Sequence, residues 1–297
     1  MPIVAKSRAS LQDATLFVAQ GRVHHAFASK PLLSIKCMFN GTALYRVSRA
    51  LFAVDETGYL VLNHEQAYEI EINSPTRLES FIVFFPDRWA TEVLRSLSLS
   101  TDHLLDDPEG NCSESIHFFE RLTPHDDVVS PALAKLRSAH QRGPLSDLWV
   151  EERLRDLLAR VLQSQRGALG EADVLPACRA ASRHELWRRL NRARDFIRAQ
   201  AHLPLTVFEI ASAASLSPFH FLRSFKTLFG QTPHQFLAGC RSERACFLLE
   251  RTELPVTEIC FDVGFESLGA FSSWFRALKG RSPREWRQQA ARAKKQF

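Results

Sequence analysis

The sequence has no run of about 18 uncharged apolar residues, so no membrane-spanning helix is expected. Its N-terminus, MPIVAKSRASLQDATLF, lacks an apolar stretch followed by a small-residue cleavage site, and no secretory signal is read there. Cysteines are few and scattered, at 37, 112, 178, 240, 246 and 260, with no C-x-x-C pair and no metal-ligand spacing. That pattern argues against a disulfide frame or zinc site and for reduced thiols in the cytosol. Neither wholesale disorder nor a collagen-like or low-complexity chain fits 45% hydrophobic and 24% charged residues. The 297 residues suit about two domains, each of roughly 100–200 residues.

What is present is an uneven charge. The chain carries a net +5, but residues 183–297 hold 19 Lys/Arg against 10 Asp/Glu, and residues 1–182 hold 19 against 23. A basic C-terminal third on a slightly acidic remainder suggests a polyanion-binding module joined to something else. Charge alone leaves nucleic acid and membrane surface both open.

From about Leu16 to Phe85 the pattern is β. LLSIKCMFNG sets Leu33, Ile35, Cys37 and Phe39 against Leu32, Ser34, Lys36 and Met38. YEIEI sets Tyr68, Ile70 and Ile72 against Glu69 and Glu71, and SFIVFFP suits a strand buried on both faces. Asp55-Glu56-Thr57-Gly58, between LFAV and YLVL, reads as a hairpin turn. Strands this short and regular predict a barrel or sandwich. After Pro86, Asp87 is expected to cap a helix in RWATEVLRSL, and Ser130-Pro131 to open another. Over 145–162, Leu145, Leu148, Trp149, Leu154, Leu157, Leu158, Val161 and Leu162 recur at helical spacing, opposite Glu151, Glu152, Arg155, Asp156 and Arg160. That stripe needs a partner, either its own domain or a second subunit. The stretch from 164 to 181 is small, polar and aperiodic, and reads as a linker. The expected organisation is therefore a 1–163 domain, a 164–181 linker and a 182–297 domain.

The C-terminal domain reads as all helical and contains a repeat. Phe225-Lys226-x3-Gly230-x-Thr232-Pro233-x2-Phe236 recurs fifty residues on as Phe275-Arg276-x3-Gly280-x-Ser282-Pro283-x2-Trp286. A short apolar helix and a tight turn precede each copy, the order of a helix-turn-helix. Thr206 is expected to cap the first short helix, and Ser217-Pro218 to start the helix after the Ser215-Leu216 turn. Gly264 is expected to supply a positive φ in the second turn. Phe221, Phe225 and Leu228, then Phe271, Trp274, Phe275 and Leu278, fall on core faces. The opposite faces carry Phe219, Leu222, Arg223 and Lys226, then Gly269, Ser272, Ser273 and Arg276. Such faces are either solvated or contact DNA, and two parallel instances in a basic module favour DNA.

VTEICFDVGFESLGAFSSWFRALKGRSPREWR closely resembles the signature of the AraC/XylS family of bacterial transcription regulators. The matching positions are Ile259, Gly264, Phe265, Ser267, Phe271, Phe275, Gly280, Ser282, Pro283 and Arg287. The first unit matches through Ile210, Ala211, Ser217, Phe225, Lys226, Gly230 and Pro233. Cys260 departs from the family's usual alanine, and Ser215 stands at a turn position often filled by Gly or Asn. The resemblance implies that a long helix, about Pro233–Glu250, holds both second helices on one side of double-stranded DNA. They would enter successive major-groove segments about 34 Å apart. Arg223 then suits a bidentate contact to guanine, and Phe219 and Leu222 suit thymine methyls or mere packing. Gly269 and Ala270 are too small for much readout, while Ser272 and Ser273 can hydrogen-bond base or phosphate. Lys226, Arg276 and Lys279 suit phosphates, or else are solvated charge.

By the same resemblance the N-terminal half is a cupin-like sensory domain, which makes the whole an α+β multidomain chain. A small organic effector, RNA polymerase, transcription activation, a homodimer and the bacterial cytosol come with it. A metal-dependent cupin needs a His-x-His pair, whereas His24 and His25 are adjacent and point to opposite faces of a strand. No metal or cofactor is expected. Residues suited to an effector pocket are His24, Cys37, Tyr45 and Tyr68, each also plausible as an ordinary barrel residue. The competing enzyme reading is a cupin enzyme, with or without metal, fused to a DNA-binding module. It lacks a nucleophile with its base, and the Pro-Cys-His-Arg motif of alkyl-transfer relatives is missing.

Overall fold

A computed structural model describes residues 4–11, 14–86, 88–98, 116–176 and 180–294. The chain forms two compact units, Met1–Asp173 and Val174–Phe297. The first is a nearly closed antiparallel barrel followed by helices, and the second is helical.

The barrel strands are β1 (Val4–Leu11), β2 (Ala14–Ala28), β3 (Leu33–Phe39), β4 (Ala43–Val47), β5 (Ala50–Val54), β6 (Gly58–Leu62), β7 (Tyr68–Phe85) and β8 (Leu122–Pro124). They order as β1-β2-β7-β3-β6-β8, with β4 paired to β5 and β7. The YEIEI and SFIVFFP segments merge into the single strand β7, which pairs with β2, β3 and β4. Period-two alternation sends one set of side chains inward, where Met38, Tyr45, Phe52, Leu60, Leu62, Ile70, Ile72 and Leu78 form an apolar core. The other set, including Leu33, Ile35, Cys37, Phe81, Val83 and Phe85, packs outward under the helices α1 (Trp89–Ser98), α2 (Ser130–Arg142) and α3 (Asp147–Gly170).

The turn Asp55–Gly58 forms, with Asp55 Oδ1 accepting from the Thr57 amide at 2.9 Å, but it does not make a hairpin. β5 pairs with β4, whereas β6 pairs with β3 and β8. Gly58 serves that last pairing, since a Cβ there would run into the carbonyl oxygen of Thr123. The hairpin of this region is β4–β5, turned through Ser48 at φ 52°. Ser130 does begin α2, but the free amides there are accepted by Asp126, whose Oδ1 takes the Val128 and Val129 N–H at 2.9 and 2.6 Å. Asp87, the expected cap of α1, lies outside the described residues.

The stripe on α3 is spent inside its own unit. Leu154, Leu157, Leu158, Val161 and Leu162 are buried in the outer core, so it supplies no face for a second subunit. Leu148 departs from the stripe and stands 79% exposed in the first turn. Residues 164–170, expected as the start of a linker, continue α3, and 171–174 add a 3-10 turn. The helix persists through Gly167 and Gly170 because Ala168 is buried and Gln165 Oε1 accepts the Phe119 amide at 3.0 Å. Packing overrides two weak helix formers here.

The second unit contains α4 (Ala180–Ala199), α5 (Val207–Ala213), α6 (Pro218–Phe229), α7 (Pro233–Arg251), α8 (Val256–Asp262), α9 (Leu268–Lys279) and α10 (Pro283–Lys294). α4 buries Trp187, Leu190, Ala193 and Ile197 and packs against α5, α6 and α7. Leu248, Leu249, Ile259, Cys260, Val263, Phe271 and Phe275 form the core of the second repeat. Leu278, expected in that core, is 51% exposed: it lies in the last turn of α9, beyond the pocket that Phe271 and Phe275 fill.

Candidate functional site

The two helix-turn-helix units are built by the same local devices. Thr206 accepts the Glu209 amide while Glu209 reaches back to the Thr206 N–H at 2.7 Å, which closes the capping box that starts α5. These hydrogen bonds from Thr206 hold the Glu209 carboxyl below its ordinary pKa. The two turns share a positive φ and the same closing hydrogen bond. Ser215 adopts φ 53° and Gly264 φ 85°, and the following amides close matching bonds, Leu216 N–H to Ala211 O and Phe265 N–H to Cys260 O, both 3.0 Å. Serine therefore serves in the first turn, while Gly264 is enforced because a side chain would meet the His202 carbonyl. Ser217 and Ser267 cap α6 and α9, and Gly230 and Gly280 end them in left-handed conformation at φ 70° and 73°.

The devices after the turns also match. Thr232 with Gln235 and Ser282 with Glu285 close equivalent boxes at the starts of α7 and α10. α7 is fixed by Arg241, which donates to the carbonyls of Ala201 and Leu203 at 2.8 and 2.9 Å. Arg287, part of the family signature, is structural: it donates to the Leu254 carbonyl at 2.6 Å. Cys260 is fully buried, with its thiol toward the Phe265 carbonyl, and fits where the family has alanine.

Burial then sorts the faces. On α6, Phe221 and Phe225 are fully buried, their rings 5.3 Å apart. Phe219 stands 78% exposed, and Leu222, Arg223 and Lys226 share the open face. On α9, Gly269, Ala270, Ser273 and Arg276 are exposed and Ser272 is half-buried. Lys279 is partly withdrawn, its Nζ 5.7 Å from the centre of the Trp286 ring. His220, exposed beside Phe219 in the first turn of α6, was not signalled by the repeat because the repeated residues begin at Phe225.

In the barrel, the four expected pocket residues divide. Tyr45 and Tyr68 meet with ring centres 5.5 Å apart, on the interior side. His24 pairs with Ile72 and shares its inward face, while His25 turns outward to Glu69 at 2.6 Å. Cys37 does not join them. It sits in the outer, helix-covered core, where burial pushes its thiol up to about 12. In its place the strand turns Lys36 inward: fully buried, it donates to Tyr68 Oη at 3.1 Å. A lysine between Ser34 and Met38 reads from sequence as the solvent side, so Lys36 was missed.

Residues 210–289 match a family described as helix-turn-helix domain. The MmsAB operon regulatory protein of Pseudomonas aeruginosa is 32% identical over 93 residues, 31% of this chain and 30% of that protein. A transcriptional regulator from Chromobacterium violaceum with an AraC-type DNA-binding domain is 31% identical, over 38% of this chain and 97% of that one, with a TM-score of 0.34. The C-terminal unit is a helix-turn-helix domain of the AraC family. The HTH-type transcriptional regulator ArgR of Pseudomonas aeruginosa aligns further, 29% identical over 55% of this chain and 45% of its own length. The chain spans about a quarter to a half of the length of the curated relatives it matches. Among the described residues, no helix is long and apolar enough to cross a membrane.

Proposed function

We propose that this chain is a sequence-specific DNA-binding transcription regulator whose N-terminal unit takes a small organic effector. One observation carries the DNA half of the reading: the same helix-turn-helix is built twice, and each second helix leaves the face opposite its aromatic core open. α6 and α9 then lie in successive major-groove segments, about one helical turn apart. Arg223 reads guanine, with Phe219 and Leu222 against thymine methyls, and Lys226, Arg276 and Lys279 meet phosphates. Gly269, Ala270, Ser272 and Ser273 give α9 little reach, so it positions more than it reads.

The effector half is supported by inward polar groups in a mostly apolar barrel, among them Lys36, Tyr45 and Tyr68. RNA polymerase, as the machinery a regulator addresses, and a homodimer come with the family. A dimer uses surfaces other than the α3 stripe, which is occupied within its own unit.

Two classes of substitution test the DNA reading. Arg223→Ala is expected to flatten preference at one or two base positions, by about 1–3 kcal/mol there. Lys226→Ala and Arg276→Ala are expected to weaken all sequences alike. Binding of each variant to a set of singly substituted duplexes separates the two. A uniform loss for Arg223→Ala would make it another phosphate contact.

A further inference from the structure

Lys36 lies in the middle of β3, paired with Leu60 of β6 and Ile82 of β7, and is fully buried. Its ammonium has three N–H donors, yet among the described residues it makes one hydrogen bond, to Tyr68 Oη. The rings of Tyr68 and Phe84 flank it, with centres 4.8 and 4.4 Å from Nζ. Among the described residues no carboxylate pairs with it, unlike Arg137 of the outer core, which has Glu79 at 2.8 Å. A buried cation without a counter-ion is costly, and burial alone brings this amine down to about 7.

The other polar groups of this face are neutral hydroxyls, each with an O–H to donate. Tyr68 spends its oxygen on Lys36 and keeps its O–H. Tyr45 Oη and Ser34 Oγ are buried without a hydrogen-bond partner among the described residues. Burial raises the pKa of both tyrosines, so both hydroxyls stay protonated. The interior therefore gathers one cation and several unspent donors against walls of Met38, Phe52, Leu60 and Ile70. Among the described residues it offers the ammonium no negative charge.

We infer that the barrel interior binds the carboxylate of a small apolar monoacid, with Lys36 as its counter-ion and Tyr68 and Tyr45 as donors. The inference rests on the effector reading above and names the chemical class of that effector. A monoanion balances the one cation. A phosphate dianion brings a second charge into apolar surroundings, and a neutral polyol leaves the ammonium unpaired. The apolar walls match an aliphatic or aromatic body better than a sugar.

The test uses the full chain with benzoate and octanoate, each against its neutral amide, benzamide and octanamide. Calorimetric titration reads affinity, and thermal unfolding reads stabilisation. At least one acid is expected to bind tenfold or more tighter than its amide, the scale of one charge-assisted hydrogen bond. Lys36→Met is expected to erase that preference, and Tyr68→Phe to cut it about tenfold. The tyrosine variant tests the same preference independently, with Lys36 left in place. Acid and amide binding alike, no acid binding, or a preference that survives in both variants would overturn the inference. The effector reading fails separately: an acid that binds through Lys36 yet leaves DNA affinity unchanged upholds the site and overturns control by it.

Discussion

Residues 174–297 alone are expected to bind duplex DNA, and residues 1–173 are not. The basic excess lies in the C-terminal third, and both helix-turn-helix units are complete within the second compact unit. Three phosphate contacts from Lys226, Arg276 and Lys279 give a slope of about −2.7 in log affinity against log salt. Affinity should then fall at least roughly 40-fold between 50 and 200 mM salt, and further if other basic residues join. Fluorescence anisotropy across that range measures the slope. A folded fragment whose binding ignores salt would remove the phosphate assignments together.

Replacing Lys36 with methionine is expected to stabilise the protein, by several kcal/mol at neutral pH. The amine falls from 10.5 to about 7 on burial, so the folded state favours the neutral form. Above about 10.5 the lysine is uncharged whether folded or not, and its burial carries no ionic penalty. As pH falls from 10.5 to about 7 the unfolded chain binds a proton that the folded chain does not, and stability drops by roughly 1.4 kcal/mol per unit. Below about 7 the penalty is fully present and constant. Denaturant unfolding of wild type and Lys36→Met from pH 6 to 10 should show a difference that is largest at the acid end and shrinks toward the alkaline end. A difference that stays flat would place the titration outside this window.

The helix-turn-helix units were legible because their signals are local. Ser217, Gly230, Ser267 and Gly280 fix helix ends within a few residues of themselves, and the fifty-residue repeat duplicates each signal. The barrel was legible as alternation, but period two defines two faces without saying which is enclosed. Ser34, Lys36 and Met38 share one face of β3 and Leu33, Ile35 and Cys37 the other, and the structure buries both. Only the helices over the outer face decide that Cys37 belongs there and Lys36 within. Turn chemistry at Asp55–Gly58 was equally real, yet strand partners are chosen far along the chain, and β6 went to β3 and β8. The stripe of α3 announced burial without its partner, and the small, polar, aperiodic stretch from 164 read as a linker where tertiary packing continues the helix to Gly170. Leu278 shows the reverse, an apolar position at helical spacing whose helix ends before the core reaches it.

The most direct measurement is selection of bound sequences from a randomised duplex pool by the full chain, followed by sequencing. The account predicts one strongly specified segment, read by α6, and a weakly specified one centred about 10–10.5 base pairs away, held by α9. A pool with no enriched sequence, or with two equally specified segments, would contradict it.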